Sequence, residues 1–163
     1  MLIVQRKSFS DMQCPIARGL ARVGERWTIL ILRDALNGRR RFDEFEESLG
    51  IAPNILADRL KALVEAGLLV KRRYSERPAR DEYLPTPRGE DFRPVLMMLQ
   101  EWGSTHFAPE GRSVLVVNSR TGLEAKPIVV DAVSGLPMND PAFRTVPGPG
   151  ANERTRRRYG GGL

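Results

Sequence analysis

Two groups of cations have a spacing that suggests chemistry: Arg39, Arg40 and Arg41 in a row, then Lys71, Arg72, Arg73, Arg77 and Arg80. Guanidinium and ammonium groups crowded on a thin loop suit phosphate oxygens, contacts that set register without reading sequence. Between the groups lie Asn54, Asp58 and Lys61, which a helix would bring to one face. Such side chains suit base edges. Asparagine pairs bidentately with adenine, lysine donates to guanine, and a carboxylate accepts from the amino group of cytosine. The residues for catalysis are missing. Among 163 residues there is 1 histidine, His106, and 1 cysteine, Cys14. That excludes an intrachain disulfide, a multi-cysteine zinc site and two-histidine metal chemistry. No glycine-rich phosphate loop or nucleophile elbow is present. Neither an enzyme, nor a cofactor, nor a metal is expected.

Charge supports a polyanionic partner, and its distribution is uneven. The formal net charge is +6, from 26 Lys+Arg against 20 Asp+Glu. Residues 42–50 carry −4, whereas residues 39–41 carry +3 and residues 71–80 carry +4. The apolar run Met1–Val4 is too short for a signal-peptide core, and no stretch approaches the roughly 20 apolar residues of a membrane helix. A soluble, cytoplasmic chain without membrane contact is expected.

Periodicity supplies the elements that must hold these residues. A first helix starts after Cys14, with Pro15 at its first position and Ile16, Leu20 and Val23 on one side. A second spans Glu25 to Leu36 and is apolar around most of its circumference, as a central helix should be. A third, Phe42 to Leu49, turns Phe42, Phe45 and Leu49 inward and stops at Gly50. A fourth opens at Pro53, buries Leu56, Leu60, Leu63 and Val64, and ends at Gly67. Leu68 to Tyr74 and Asp81 to Pro85 read as two strands around a long tip, Ser75 to Arg80. Thr86 caps a last helix reaching Phe107, with Pro94 positioned to kink it. Two helices about a glycine turn, then a hairpin with a basic tip, is the order of a winged helix-turn-helix, whose second helix enters the major groove. The fold class expected is mainly α with a small β-sheet: a winged helix-turn-helix plus a C-terminal β-hairpin extension.

Several blocks in unbroken order resemble one family. They are Cys14-Pro15-Ile16, Val23 to Thr28, Arg41 to Phe45, Gly50-Ile51-Ala52, Leu56 to Leu60, Gly67 to Arg72 and Tyr83 to Gly89. Together, over about residues 12–107, they resemble the HxlR family of winged-helix transcriptional regulators. The resemblance implies a homodimer held by the N-terminal and C-terminal helices, with Ile16, Leu20, Leu96, Leu99 and Trp102 as interface residues. It implies a near-palindromic double-stranded operator, read by Pro53, Asn54, Ile55, Asp58, Arg59 and Lys61. Arg39, Arg40, Arg41, Arg72, Arg73, Ser75, Arg77 and Arg80 would hold the backbone, and no catalysis is implied. The chain departs from the family in having Ala52 where a capping serine is usual, which costs on the order of 1 kcal/mol. The expected function is a DNA-binding regulator, a repressor answering a small-molecule effector or a redox signal. The alternative is a winged-helix adaptor that binds protein instead of DNA.

Some residues keep two readings. Cys14 is either a small apolar residue packed at a helix start or a redox thiol activated by the helix N-terminus and Arg18. Trp27, Trp102 and the Met97-Met98 pair read as packing or interface anchors, with an effector pocket as the other reading of the methionines. The expected boundaries are a polar lead at 1–11, the winged domain at 12–108, a β-rich extension at 109–150 and a basic, disordered tail at 151–163. The extension has the outline of a zinc ribbon, yet its knuckles hold no Cys or His, so apolar packing must hold it.

Overall fold

The structure is a computed structural model describing residues 8–160. The run Met1–Val4 and the glycines Gly161 and Gly162 lie outside the described residues. Two compact units separate: Met1–Arg93 with Pro147–Leu163, and Pro94–Val146. The division thus falls at Arg93, ahead of the expected boundary at 108.

In the first unit the helices are α1 (Pro15–Val23), α2 (Thr28–Leu36), α3 (Phe42–Leu49), α4 (Pro53–Glu65) and the single turn α5 (Pro87–Glu90). Strands β1 (Leu69–Glu76) and β2 (Ala79–Pro85) pair antiparallel. The core is where the helical stripes converge: Ile31 and Leu32 of α2, Phe45 of α3, and Leu56, Leu60 and Leu63 of α4 are fully buried. Gly50 turns α3 into α4 at φ 58°, a left-handed conformation that favours glycine, and its amide donates to the Glu46 carbonyl. Gly89 serves a close approach, since a Cβ there would stand 2.2 Å from the Leu68 carbonyl oxygen. The structure is therefore mainly helical with a small sheet, as the patterning predicts.

Three local expectations are corrected. Trp27 sits at φ 78° and delays α2 to Thr28, not Glu25. The last helix is two: α5 stops at Glu90 and α6 (Arg93–Phe107) begins one residue before Pro94. A proline lacks an amide donor and crowds the preceding turn, so it is tolerated at a helix start and not inside one. The hairpin tip is short, since β1 reaches Glu76, β2 starts at Ala79, and only Arg77 and Pro78 (joined by a cis bond) lie between.

The tail is not disordered throughout. Ala151 is buried, and Asn152 caps α7 (Glu153–Tyr159), its side chain accepting from the Thr155 amide. The Asn152 amide donates to Gln13 Oε1 at 2.6 Å, tying the tail to the residues before α1.

In the second unit, α6 is followed by two β-knuckles of the same design rather than by regular strands. Bridges Val117↔Glu124 and Val130↔Pro137 occupy matching places. The amides of Asn118 and Asp131 donate to the carbonyls of Leu123 and Leu136, and those of Gly122 and Gly135 donate back to Asn118 and Asp131. Side chains close each turn. Asp131 Oδ2 accepts from the Ser134 amide and hydroxyl at 2.8 and 2.7 Å, and Asn118 Oδ1 from the Arg120 amide at 2.9 Å. These bonds hold the Asp131 carboxyl below the usual carboxylate range. Hydrogen bonds thus close these turns, rather than the apolar packing expected.

Candidate nucleic-acid interface

Helix α4 has an inner and an outer face. With Leu56, Leu60 and Leu63 at zero exposure, rotation of about 100° per residue places Asn54, Asp58, Lys61 and Glu65 opposite, all exposed. Among the described residues, neither the Asn54 nor the Asp58 side chain has a hydrogen-bond or ion-pair partner. Lys61 has only a loose contact with Glu65, at 3.9 Å. Pro53 is exposed at the first helical position, and Ala52 supplies no capping side chain. Ile55 is half-buried at the edge.

Arg59 is a correction. It lies beside the buried stripe, its side chain 29% exposed and its guanidinium 3.5 Å from Glu25. Its Nε is buried without a partner. Arg59 therefore supports the turn before α2 and does not share the face of Asn54, Asp58 and Lys61.

The two basic groups, far apart in sequence, meet at the sheet. Arg41 forms a bridge with Glu82, and the Tyr83 amide donates to the Arg40 carbonyl at 2.7 Å. The stretch Arg39–Arg41 thus runs along β2. The Arg41 guanidinium stacks 4.9 Å from the ring centre of Tyr74 on β1. Beneath it the amides of Arg40 and Arg41 donate to Glu44 Oε2 at 2.7 and 3.0 Å. Those two amide bonds hold the Glu44 carboxyl below its ordinary value, helped by the charges of Arg41 and Arg39. The Arg40 side chain is exposed and makes no hydrogen bond or ion pair with a described residue.

The wing splits into base and tip. Arg72 donates through Nε and Nη2 to Glu82 Oε1, at 2.8 and 2.6 Å. Arg73 donates to Asp81 at 2.6 Å and Lys71 pairs with the same carboxylate at 2.9 Å. Bonds from Arg73 and Lys71 push the Asp81 carboxyl below its ordinary value. Asp81 in return raises Lys71. Ser75 is half-buried at a register shift between Arg73 and Ser75. Arg77 and Arg80, at the tip, are exposed, and their side chains make no hydrogen bond or ion pair with a described residue.

Sequence reasoning missed Tyr74 as the platform for Arg41, and Asp81 and Glu82 as partners of the basal cations. Strand register places them, and only the proximity of Asp81 and Glu82 to the basic run hinted at it. Arg88 was also missed: it donates to the Ala66 carbonyl at 3.2 Å, satisfying the C-terminal end of α4.

The other predicted residues scatter. Cys14 is half-buried at the N-cap of α1. Arg18 donates through Nε to the Met12 carbonyl at 2.8 Å. Ile16 and Leu20 are exposed on α1. On α6, Leu99 and Trp102 are exposed and Leu96 is half-buried. Among the described residues no cluster of three His, Cys, Asp or Glu side chains could hold a metal, and no helix is long and apolar enough to cross a membrane.

Comparison with known proteins supplies kinship. A family model described as HxlR-like helix-turn-helix matches residues 22–111. An uncharacterized HTH-type transcriptional regulator of Mycobacterium tuberculosis is 38% identical over 136 residues, spanning 83% of this chain and 86% of that one. The solved structure of a proposed transcription factor from Pseudomonas aeruginosa is 51% identical with a TM-score of 0.63, covering 89% of this chain and 99% of the other. That of a second proposed transcription factor, PA1607, is 38% identical with a TM-score of 0.76, covering 85% and 98%.

Proposed function

The chain belongs to the HxlR-like helix-turn-helix family, and from that premise we propose that it is a homodimeric, sequence-specific DNA-binding repressor. Within that family it is a regulator and not an enzyme. One observation carries the reading. The outer face of α4 holds Asn54 and Asp58, which pair with no described residue, and Lys61, loosely placed near Glu65, on the unit whose wing tip carries Arg77 and Arg80, unpaired among the described residues.

In this reading α4 enters the major groove and α3 crosses the backbone. Asn54 takes adenine, Lys61 guanine, and Asp58 the cytosine amino group. Arg40, Arg77 and Arg80 hold phosphates. Two copies joined through α1 and α6 cover a near-palindromic operator in the cytoplasm, and repression is steric. A small-molecule effector, or oxidation of Cys14 beside the exposed Ile16 and Leu20 of α1, would change the spacing of the two reading helices. A thiol oxidant should then lower operator affinity in wild type and leave Cys14→Ser unaltered; equal loss in both rules out the thiol.

Selection of bound duplexes from a random pool, with the complex sized, tests the whole reading. A two-fold symmetric consensus bound by two chains is expected. No enrichment above input, even at low salt, sinks it in favour of the protein-binding adaptor.

A further inference from the structure

The last helix gathers cations that the fold leaves unanswered. Arg154, Arg156, Arg157 and Arg158 stand within five consecutive residues of α7, against one acid, Glu153, a net +3. All four are exposed. Arg157 pairs with Glu153 one turn earlier. Arg154, Arg156 and Arg158 have no hydrogen-bond or ion-pair partner among the described residues. Arg154 and Arg158 are four apart, a like-charge spacing that weakens a helix. The cluster therefore does not serve the stability of α7, and an anion laid against it would relieve the repulsion.

This cluster is held in place on the unit that carries α4 and the wing. Ala151 is buried, the Asn152 amide donates to Gln13 Oε1 at 2.6 Å, and the Gly160 amide closes the helix on the Arg156 carbonyl at 2.7 Å. Gln13 lies next to Cys14, the N-cap of α1, whose nine residues run about 14 Å. Past the other end of α1, Glu25 meets Arg59 of α4. The anchor of α7 is therefore within about 25 Å of α4, less than the roughly 34 Å of one turn of duplex. Guanidinium groups offer forked donors that match phosphate oxygens, and they read no sequence. We propose that α7 is a second phosphate-binding element, whose Arg154, Arg156 and Arg158 hold the backbone of double-stranded DNA outside the half-site read by α4. The proposal rests on the DNA-binding reading above and adds a contact which that reading does not need.

Two duplexes test it with the full chain across a salt series: the selected operator trimmed to its consensus, and the same operator extended by one helical turn on each side. On the extended duplex, Arg154→Ala/Arg156→Ala/Arg158→Ala should lower the dependence of log affinity on log salt by about 2.7 per chain, and on the trimmed duplex it should leave it unmoved. Alanine is the strongest helix former, so α7 persists, which an unchanged thermal melt checks. Arg154→Lys/Arg156→Lys/Arg158→Lys keeps the charge and should keep the wild-type slope; a slope lost with lysine as well is a structural effect and overturns the proposal. A fall smaller than about 0.9 per chain on the extended duplex, less than one phosphate, overturns it too. An equal fall on both duplexes places the contact inside the half-site and overturns the flanking role. In each of these outcomes wild type still binds, and the DNA-binding reading stands. Wild type that binds neither duplex sinks that reading, and this inference with it.

Discussion

The base and the tip of the wing carry similar side chains and have different fates. At the base Lys71, Arg72 and Arg73 face Asp81 and Glu82 across the sheet, and their charge is spent on the fold. At the tip Arg80 stands opposite Ser75 and Arg77 lies in the turn, and neither forms an ion pair with a described residue. The difference teaches that a count of cations overstates the charge offered to a polyanion. An antiparallel register decides which cations are neutralised, because residues directly opposite stand close enough to pair.

The largest effect should come from the tip. Arg77→Ala/Arg80→Ala should flatten the dependence of log affinity on log salt by about 1.8 per chain, which at 0.1 M salt is a loss of roughly sixtyfold for each half-site on every sequence. Gel shifts across a salt series read this, and an unchanged slope would return the tip to the same standing as the base. Asn54→Ala should cost about 1–3 kcal/mol at one base pair and little elsewhere. Uniform weakening over all operator variants would show that α4 does not read sequence through Asn54.

The base should respond in stability rather than in binding. Arg72→Ala leaves the nearly buried Glu82 carboxylate without its partner and should cost about 1 kcal/mol in urea unfolding, with the salt slope unmoved. A slope change as large as that of Arg77 would erase the distinction. Asp81→Asn should do the reverse, freeing Lys71 and Arg73 and raising nonspecific affinity severalfold; titration with unrelated duplex DNA measures it.

The smallest effect is a pH dependence. The Glu44 carboxyl is held below its ordinary value by the amides of Arg40 and Arg41. Its contribution is therefore complete above the ordinary glutamate range and is lost as pH falls through the lowered value. Thermal melts should show wild type losing more stability than Glu44→Gln below about pH 4.3. Parallel losses would mean that the cap contributes nothing.

Much of the fold was legible because its signals are local. The leucines of α4 recur at helical spacing, Gly50 marks the turn, and Thr86 and Pro87 open α5. The outer face of α4 follows from the same periodicity. Arg59 shows where that logic stops. It is one residue from the buried stripe, and its direction depends on Glu25, which belongs to the turn before α2. The meeting of Arg41 with Tyr74 was equally hidden, since it needs the stretch before α3 to lie along β2. The tail reads as low complexity, yet Gln13, distant in sequence, gives it an anchor.

By itself the sequence determined that α1 to α4 form, that Gly50 turns α3 into α4 and which polar residues α4 turns away from its leucines, because helical period and glycine conformational freedom act within a few residues. It also excluded paired-histidine and multi-cysteine chemistry by composition. Only the tertiary structure decided which cations remain unpaired and where Arg59 points. It also decided that residues 94–146 close their turns with hydrogen bonds and leave their apolar side chains uncovered. Those outcomes depend on what stands opposite a side chain in space, and that is set by register and packing between segments far apart along the chain.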